Sequence, residues 1–372
     1  MTKSLLFTPI ALRDVELRNR VVVSPMCQYS ARDGFANDWH FVHLGQFAMG
    51  GFGLVFIEAS AVLADGRITH GDLGLWSDDH IDPIRRIAQY VHAQGARIGI
   101  QLAHAGRKAS MQRPWFGNAV LGPADHARGE DPWPIVGPVA APHDDGWLVP
   151  HALDRRGIAH IVEAFGAATR RADAAGVDVV EIHGAHGYLL HSFLSPVANT
   201  REDEYGRNLA GRMRFALEVA RAAREAWPAR KPLFFRMSTV DGVQGGWSLD
   251  DSVALAKELK AIGVDVVDCS AGGFVTSRLH PAKGYLVANA SRVRREAGIA
   301  TQAVGFIVDA HQAEAILQSG EADLIAVARD ALFDTHWAGK GAVELEGEAG
   351  WAQWPAQYGW WLERRAALMK KF

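Results

Sequence analysis

The chain has 372 residues, of which 48% are hydrophobic and 22% charged, and its formal net charge is −3. This composition predicts a globular protein with a large core, and the charge argues against a nucleic-acid partner. Two cysteines, Cys27 and Cys269, are too few for a disulfide framework, a cysteine-ligated zinc site or an iron–sulfur cluster. The sequence shows neither a signal-peptide core nor an apolar run of about 20 residues, so we expect a cytoplasmic protein without a membrane segment.

Apolar runs and segments with helical spacing alternate along the chain. Residues 5–20 contain short apolar runs broken by Pro9 and Asp14, which predict a hairpin that caps one end of the fold. Eight later apolar runs predict buried strands, because each is short and is followed by a segment with helical spacing. These strands cover residues 21–23, 54–57, 97–102, 177–182, 233–237, 264–269, 301–304 and 324–327.

The helical segments lie between or after these strands. Their apolar residues recur every three or four positions, which is typical of a helix that buries one face. The predicted helices cover residues 39–49, 81–94, 158–175, 212–226, 251–262, a segment near Val293, and 310–318.

Eight strand–helix pairs predict a single (β/α)8 barrel that spans residues 1–372, with an N-terminal hairpin cap and long βα-loop insertions. An open doubly wound sheet is the structural alternative. Such a sheet usually carries a GxGxxG phosphate loop after its first strand, whereas residues 24–30 here read SPMCQYS. The long irregular segments, 103–154 and 270–290, both follow strand ends, as the loops on the active-site face of a barrel do.

The carboxyl ends of the predicted strands carry the candidate functional residues. His183, His186 and Tyr188 follow the fourth barrel strand within six residues, which favours a site over a core. Carboxylates are rare among the residues at the strand ends, so neither a metal-dependent hydrolase nor a glycosidase is favoured. Besides the two histidines and the tyrosine, the set contains Ser24, Pro25, Met26, Cys27, Tyr29, Glu58, Ala59, Ser60, Gln101, His104, Arg236, Ser270 and Gly305.

This set of side chains suits a flat heteroaromatic cofactor. Gln101 and Arg236 can hydrogen-bond the edge of an isoalloxazine ring, and a cation near the N1/O2 end favours the anionic reduced form. Backbone groups of residues 24–26 can line one end of the ring. Gly305 and Arg329 lie in the loops after the seventh and eighth strands, where barrels often bind phosphate.

The chain carries the motifs SPMCQYS at 24–30, DLGLW at 72–76, QLAHAGRKA at 101–109, EIHGAHGYLLHSFLSP at 181–196, QGGW at 244–247, AVG at 303–305 and VAR at 327–329. These motifs occur in the order found in the old yellow enzyme family of FMN-dependent ene-reductases, which the chain resembles over nearly its whole length. Within that family the chain is similar to the bacterial xenobiotic reductases and thermophilic-type ene-reductases, which carry a cysteine where Cys27 stands.

The resemblance implies an enzyme that uses FMN, and NADPH or NADH as hydride donor, to reduce an activated alkene such as an enone, enal, maleimide or nitro compound. It implies that His183 and His186 hold the substrate oxygen, that Tyr188 protonates the α-carbon, and that Cys27 and Tyr29 lie beside the substrate. The residues implied to hold FMN are Ser24, Pro25, Met26, Cys27, Ala59, Gln101, Arg236, Gly305, Ala328 and Arg329.

The same resemblance implies that the C-terminal tail, about residues 340–372, lies at a subunit interface of a homodimer or homotetramer. Trp361 is the residue expected to reach a neighbouring subunit's site and contact the substrate. Several positions depart from the family pattern, among them Arg207 and Asn208 in the segment 205–212. Ala328 stands where the subclass commonly has glycine, and Val304 stands where related enzymes can have a tryptophan, which predicts a less confined substrate cavity.

Two other functions stay open on the residues alone. A metal-dependent hydrolase on the same barrel would use His183 and His186 as ligands, although carboxylate ligands are missing from the strand ends. A flavin-binding protein without turnover would need the cofactor residues but not Tyr188, because storage requires no proton donor. The family resemblance favours the ene-reductase over both.

Overall fold

The computed structural model describes residues 4–371, and its centre is a closed barrel of eight parallel strands. The barrel strands pair in chain order, and the last strand pairs with the first. A two-stranded antiparallel hairpin precedes them, and a short parallel pair lies in a loop. The strands are β1 (Ile10–Leu12), β2 (Val15–Leu17), β3 (Val21–Val23), β4 (Leu54–Ala61), β5 (Arg97–Ala103), β6 (Val136–Gly137), β7 (His151–Ala152), β8 (Val179–Gly184), β9 (Leu233–Ser238), β10 (Val266–Ser270), β11 (Ala300–Ala303) and β12 (Leu324–Val327).

At least one helix follows each barrel strand, so the predicted (β/α)8 fold is confirmed. Some boundaries differ from the predicted ones because polar caps extend the helices. Asn208, for example, accepts a hydrogen bond from Gly211 N, so its helix begins at Leu209 rather than 212. The helices are α1 (Asp38–Met49), α2 (Ile81–Ala93), α3 (Arg155–Ala174), α4 (Leu189–Leu194), α5 (Leu209–Ala226), α6 (Leu249–Ile262), α7 (Val287–Ala297), α8 (Ala310–Gln318), α9 (Arg329–Phe333), α10 (Trp337–Glu346) and α11 (Ala356–Met369).

An apolar layer closes the amino-terminal end of the barrel, and the β1–β2 hairpin covers it, as predicted. Side chains alternate across each strand, so Leu54 and Phe56 of β4 face the barrel interior while Val55 and Ile57 face the surrounding helices. Burying a large apolar side chain stabilises the fold by roughly 1.5–3 kcal/mol. The interior layer contains Val15, Leu17, Val22, Leu54, Phe56, Val179, Phe234, Val266 and Leu324.

The long irregular segments after β5 and β10 both lie at the carboxyl end of the barrel, as predicted. The first segment contains the β6–β7 pair and several short 3-10 turns. The second segment links β10 to α7. Between residues 4 and 371, the structure contains no helix that is both long and apolar enough to cross a membrane.

Candidate active site

The barrel interior changes from apolar to polar one layer above the hairpin. Gln101 Nε2 donates to Glu181 Oε1 at 2.8 Å, and these two residues are neighbours in the β5–β8 register. Arg236 Nη1 lies 2.9 Å from Asp268 Oδ2 and donates to Ser24 Oγ at 2.7 Å. Residues from four strands and one strand-end loop therefore form a buried polar layer beneath the carboxyl end of the barrel.

The carboxyl groups of Glu181 and Asp268 lie in this layer without contact with solvent. Burial raises the pKa of both groups, and the pKa of Glu181 is raised further by the charge of Asp268 and lowered by Arg236. A single guanidinium faces two carboxyl groups that resist ionisation. Arg236 therefore retains positive charge that can act on a ligand above it.

Arg236 also has a buried donor that the described residues leave without a partner. Its Nε atom is buried and has no hydrogen-bond acceptor within residues 4–371. An unpaired buried donor costs about 1–3 kcal/mol, so such an atom is expected to meet an acceptor on a bound molecule. This atom fits the predicted role of Arg236 at the edge of a heteroaromatic ring.

A cavity of about 170 Å³ opens beside Arg236, between the loops that follow β11 and β12. The three predicted phosphate residues, Gly305, Ala328 and Arg329, lie on its wall together. Gly305 has φ +112°, and a Cβ atom there would lie 2.9 Å from the ring of Tyr285. Only glycine fits this position without strain, and its backbone is therefore open to close approach by a phosphate.

The loop after β3 carries the remaining predicted cofactor and substrate contacts. Ser24 N donates to Val327 O at 3.0 Å, which joins the start of the loop to β12. A bulge in β4 shifts the register at Glu58 and brings Ala59 opposite Gln101. Glu58 accepts a hydrogen bond from Gln28 N at 2.9 Å, so the bulge also anchors the loop that contains Pro25, Met26, Cys27 and Tyr29.

His183, His186 and Tyr188 converge at the end of β8. The ring centroids of His183 and His186 are 5.1 Å apart, and those of His183 and Tyr188 are 5.0 Å apart. Burial, and next the charge of Arg236, lowers the pKa of both histidines well below the ordinary value. Both rings are therefore neutral near pH 7 and act as hydrogen-bond donors without a formal charge.

Hydrogen bonds to neighbouring loops fix both imidazoles. His183 Nδ1 accepts from Ala185 N at 3.2 Å, so its ring hydrogen lies on Nε2 and can be donated to a ligand. His186 Nε2 lies 2.7 Å from Ser270 Oγ, and His186 N donates to Ser238 Oγ at 3.0 Å. The ends of β9 and β10 thus position the histidine loop, which comprises residues 183–188 at the end of β8.

A second cavity, of about 440 Å³, lies over this histidine loop. Tyr29 and Tyr188, both predicted, line it together with residues of the two long loops. Lys108 Nζ donates to His186 O at 2.9 Å and lies 4.9 Å from the centroid of the Tyr188 ring. Burial, and next the charge of Arg107, lowers the pKa of Lys108 to about 8. The further wall residues are Ile68, Thr69, Met111, Gln112, Asn118, His143, Trp147, Gly273, Phe274 and Val275.

Sequence reasoning missed several of these residues. Lys108 stands inside the motif QLAHAGRKA, so its place after β5 was available as a signal. Glu181 and Asp268 lie within strands. Glu181 is two residues before His183 on the same strand, and Asp268 pairs with Arg236 in the β9–β10 register, so both positions face the barrel interior. His143 and Trp147 belong to an irregular loop, and no sequence periodicity could have placed them in the cavity.

Trp361 does not line either cavity within one chain. It lies on α11, where 68% of its surface is exposed, and it borders a separate apolar groove with Trp354 and Tyr358. Its entry into a neighbouring subunit's site stays a prediction. Within residues 4–371, no three or more His, Cys, Asp or Glu side chains are grouped so that they could hold a metal ion.

Comparison with known proteins identifies the family of the chain. The model of the NADH:flavin oxidoreductase / NADH oxidase family matches residues 5–348. The chain belongs to this family. It is 43% identical to the NADPH dehydrogenase of Geobacillus sp. (strain WCH70) over 345 residues, which cover 92% of this chain and 95% of that protein. It is 41% identical to the NADPH dehydrogenase of Bacillus subtilis (strain 168) over 359 residues, with coverage of 95% and 99%.

Among solved structures, morphinone reductase is 25% identical, with a TM-score of 0.75, over 90% of this chain and 88% of that one. The resemblance to the old yellow enzyme family is confirmed, and the protein is an NAD(P)H-dependent flavin oxidoreductase whose cofactor is FMN. The residues fit this cofactor. The unpaired Nε of Arg236 suits the ring edge, and the cavity at Gly305 and Arg329 suits the phosphate.

Proposed function

We propose that this flavin oxidoreductase reduces activated C=C bonds of enones, enals, maleimides and nitro compounds, with Tyr188 as the proton donor. The observation that carries the proposal is the meeting of two neutral imidazoles and one phenol, with ring centroids 5.0 and 5.1 Å apart, beside a cavity whose wall includes Tyr188. Bound FMN supplies the hydride, which NADPH or NADH provides in the other half of the cycle.

In this proposal, His183 and His186 bind the carbonyl or nitro oxygen of the substrate. Negative charge develops on that oxygen during reduction, and positioned donors stabilise it more strongly than the uncharged ground state. Neutral imidazoles suit this role because they donate hydrogen bonds to the substrate oxygen without forming strong ion pairs with other anions. Phenols, whose oxygen resembles the developing oxyanion, are expected to bind at the same pair.

Tyr188 holds the proton that completes the reaction. Burial raises the pKa of its phenol well above the ordinary value, so the group stays protonated across the physiological range. It faces His183 and the cavity, and Lys108 lies over the face of its ring. For an enone or enal, the enolate carbon that is protonated after reduction is far more basic than phenolate, so Tyr188 can donate to it.

The remaining predicted contacts complete the proposed site. Cys27 and Tyr29 lie on the loop after β3 near the substrate, and burial raises the pKa of the Cys27 thiol well above its usual value, which keeps it a thiol. Trp361 would reach this site from a neighbouring subunit in a homodimer or homotetramer. A metal-dependent hydrolase fits less well, since Ala185 N donates to His183 Nδ1 and leaves the ring hydrogen on Nε2, so this ring has no free lone pair for a metal ion.

The test is Tyr188→Phe, examined by stopped-flow absorbance of the two half-reactions. Reoxidation by 2-cyclohexenone should slow by about 100-fold or more, because general acid catalysis contributes about 10²–10⁴-fold. Reduction by NADPH should change less than about twofold, since Tyr188 donates no proton in that half. Tyr90→Phe is a matched control, because the Tyr90 hydroxyl contacts Met49 far from the cavity. Equal slowing of both half-reactions, or of neither, would contradict the role of Tyr188.

A further inference from the structure

A third histidine, His191, and an aspartate, Asp241, lie directly behind the histidine loop and outside both cavities. His191 Nε2 is 2.8 Å from Asp241 Oδ1, and neither side chain has any exposed surface. His191 belongs to α4, which follows the loop, and Asp241 follows the end of β9. The proposed reaction uses neither residue.

The hydrogen bonds of His191 determine where its ring hydrogen lies. Gly187 N donates to His191 Nδ1 at 2.8 Å, so Nδ1 carries no hydrogen. The ring hydrogen is therefore on Nε2, from which it is donated to Asp241. Asp241 selects this tautomer, because its carboxylate accepts and cannot donate.

The Gly187 amide belongs to a strained part of the backbone. His186 has φ +60° and Gly187 has φ +76°, so two successive residues are in the left-handed region. A residue other than glycine in this region costs of order 1–3 kcal/mol and persists only where its surroundings hold it. This turn lies between His183 and Tyr188 and sets the distance between them.

Asp241 is itself held by donors from two further segments. Its Oδ2 atom accepts from Ser195 Oγ at 2.6 Å and from Trp247 N at 2.7 Å. The ring of Phe274, from the loop after β10, lies 5.1 Å from His191. The pair therefore joins the loops that follow β8, β9 and β10, and the first and last of these loops contribute Tyr188 and Phe274 to the wall of the larger cavity.

We propose that His191 and Asp241 are positioning residues for substrate reduction. Through the Gly187 amide, they hold the left-handed turn that places the two imidazoles and Tyr188 around one oxygen-binding point. The inference rests on the proposed function for its kinetic consequence, although the hydrogen bonds themselves do not depend on it. Misplacement of reacting groups by about 1 Å can cost about 100-fold in rate.

Three substitutions at His191 separate its two hydrogen bonds. His191→Leu keeps much of the volume and removes both bonds. His191→Asn places an amide oxygen near the position of Nδ1 and can accept from Gly187, whereas His191→Gln places an amide nitrogen near Nε2 and can donate to Asp241. His191→Asn should therefore retain the turn, and His191→Gln should lose it.

The matched control is a histidine–aspartate pair at the opposite end of the same strand. His92 Nε2 lies 2.6 Å from Asp178 Oδ2, and Asp178 immediately precedes β8. His92→Leu removes a comparable bond at a place that faces no cavity of the site. A general loss of stability would affect both leucine variants alike.

Two measurements on the FMN-loaded protein test the proposal. The dissociation constant of 4-methoxyphenol, followed by its charge-transfer absorbance, should rise at least about tenfold in His191→Leu. Reoxidation by 2-cyclohexenone should slow at least about tenfold, while reduction by NADPH changes less than about threefold. His191→Asn should stay within about threefold of the unaltered protein in both measurements, and His92→Leu should show neither change.

Hydrogen exchange gives a readout that needs no turnover. The amide of Gly187 should exchange faster in His191→Leu and in His191→Gln, and should stay protected in His191→Asn. Should His191→Leu fail to fold, Asp241→Asn tests the same prediction, because an amide there can donate to Nε2 and reverse the tautomer. Unchanged exchange and unchanged phenol binding would overturn the proposal. Failure of the unaltered protein to reduce any alkene would instead overturn the proposed function and leave the exchange result standing.

Discussion

The two ends of the barrel are built from the same strands and have opposite properties. In β9, Phe234 belongs to the apolar layer over the hairpin, whereas Arg236, two residues later, belongs to the polar layer. The amino-terminal end is filled by side chains that need no partner beyond one another. The carboxyl end contains buried donors and carboxyl groups without full pairing. Residues that stabilise the fold and residues suited to chemistry therefore lie at different depths along the same strand.

The largest expected effect on stability comes from the apolar end. Phe234→Ala should lower the free energy of unfolding by about 3–5 kcal/mol, because it leaves a cavity beside Phe56, whose ring centroid is 5.8 Å away. Urea denaturation measures this loss. The FMN dissociation constant should change less than about twofold, because the polar layer is left intact. A large loss of FMN affinity in a protein that still folds would break the separation between the two ends.

Arg236→Met tests the polar end of the barrel. This substitution should act mainly on FMN binding, whereas Phe234→Ala should act mainly on the free energy of unfolding. The dissociation constant of FMN should rise at least about 30-fold, since removal of one partner from a buried charged contact costs about 2–5 kcal/mol. Fluorescence of released FMN measures the affinity. Arg13→Met is the control, because Arg13 pairs with Asp265 at 2.7 Å near the hairpin, at the amino-terminal end. Equal effects of the two substitutions on FMN binding would contradict the assignment of Arg236.

A pH dependence of stability is expected from the bulge of β4. Burial raises the pKa of Glu58 from 4.5 to about 8. Between these values the folded protein binds a proton that the unfolded chain has lost, so this residue's contribution to stability falls as pH rises through the window. Glu58→Gln, which can still accept from Gln28 N, should lose less stability than the unaltered protein between about pH 4.5 and 8. Parallel urea midpoints across this window would contradict the raised pKa.

The barrel could be predicted from the sequence because each strand and each helix has its own local pattern of residues. Runs such as 54–57 are short, apolar and followed by helical spacing, and the order of eight such pairs admits few topologies. The placement of the predicted cofactor residues at the strand ends has a related reason. Gly305 and Arg329 lie just after strands, and parallel strands bring their carboxyl ends to one edge.

The residues that sequence reasoning missed depend on contacts between distant segments. His143 and Trp147 reach the cavity through a loop whose path is set by tertiary contacts, including one from His143 to Phe274. His191 was not among the predicted site residues, and its link to Asp241 joins positions 50 residues apart. No pattern in a single sequence indicates such a pair, because periodicity relates residues a few positions apart and not residues that are distant along the chain.

Closure of the barrel also has a consequence for biosynthesis. β3 pairs with β12, so the first barrel strand has a free edge until residues near the end of the chain leave the ribosome. The cavity for the cofactor phosphate depends on the same late segment, because Gly305 and Arg329 flank β12. Non-local pairing of this kind is slow to form. A nascent chain that ends before Leu324 would lack both β12, which pairs with β3, and Arg329 of the proposed phosphate site.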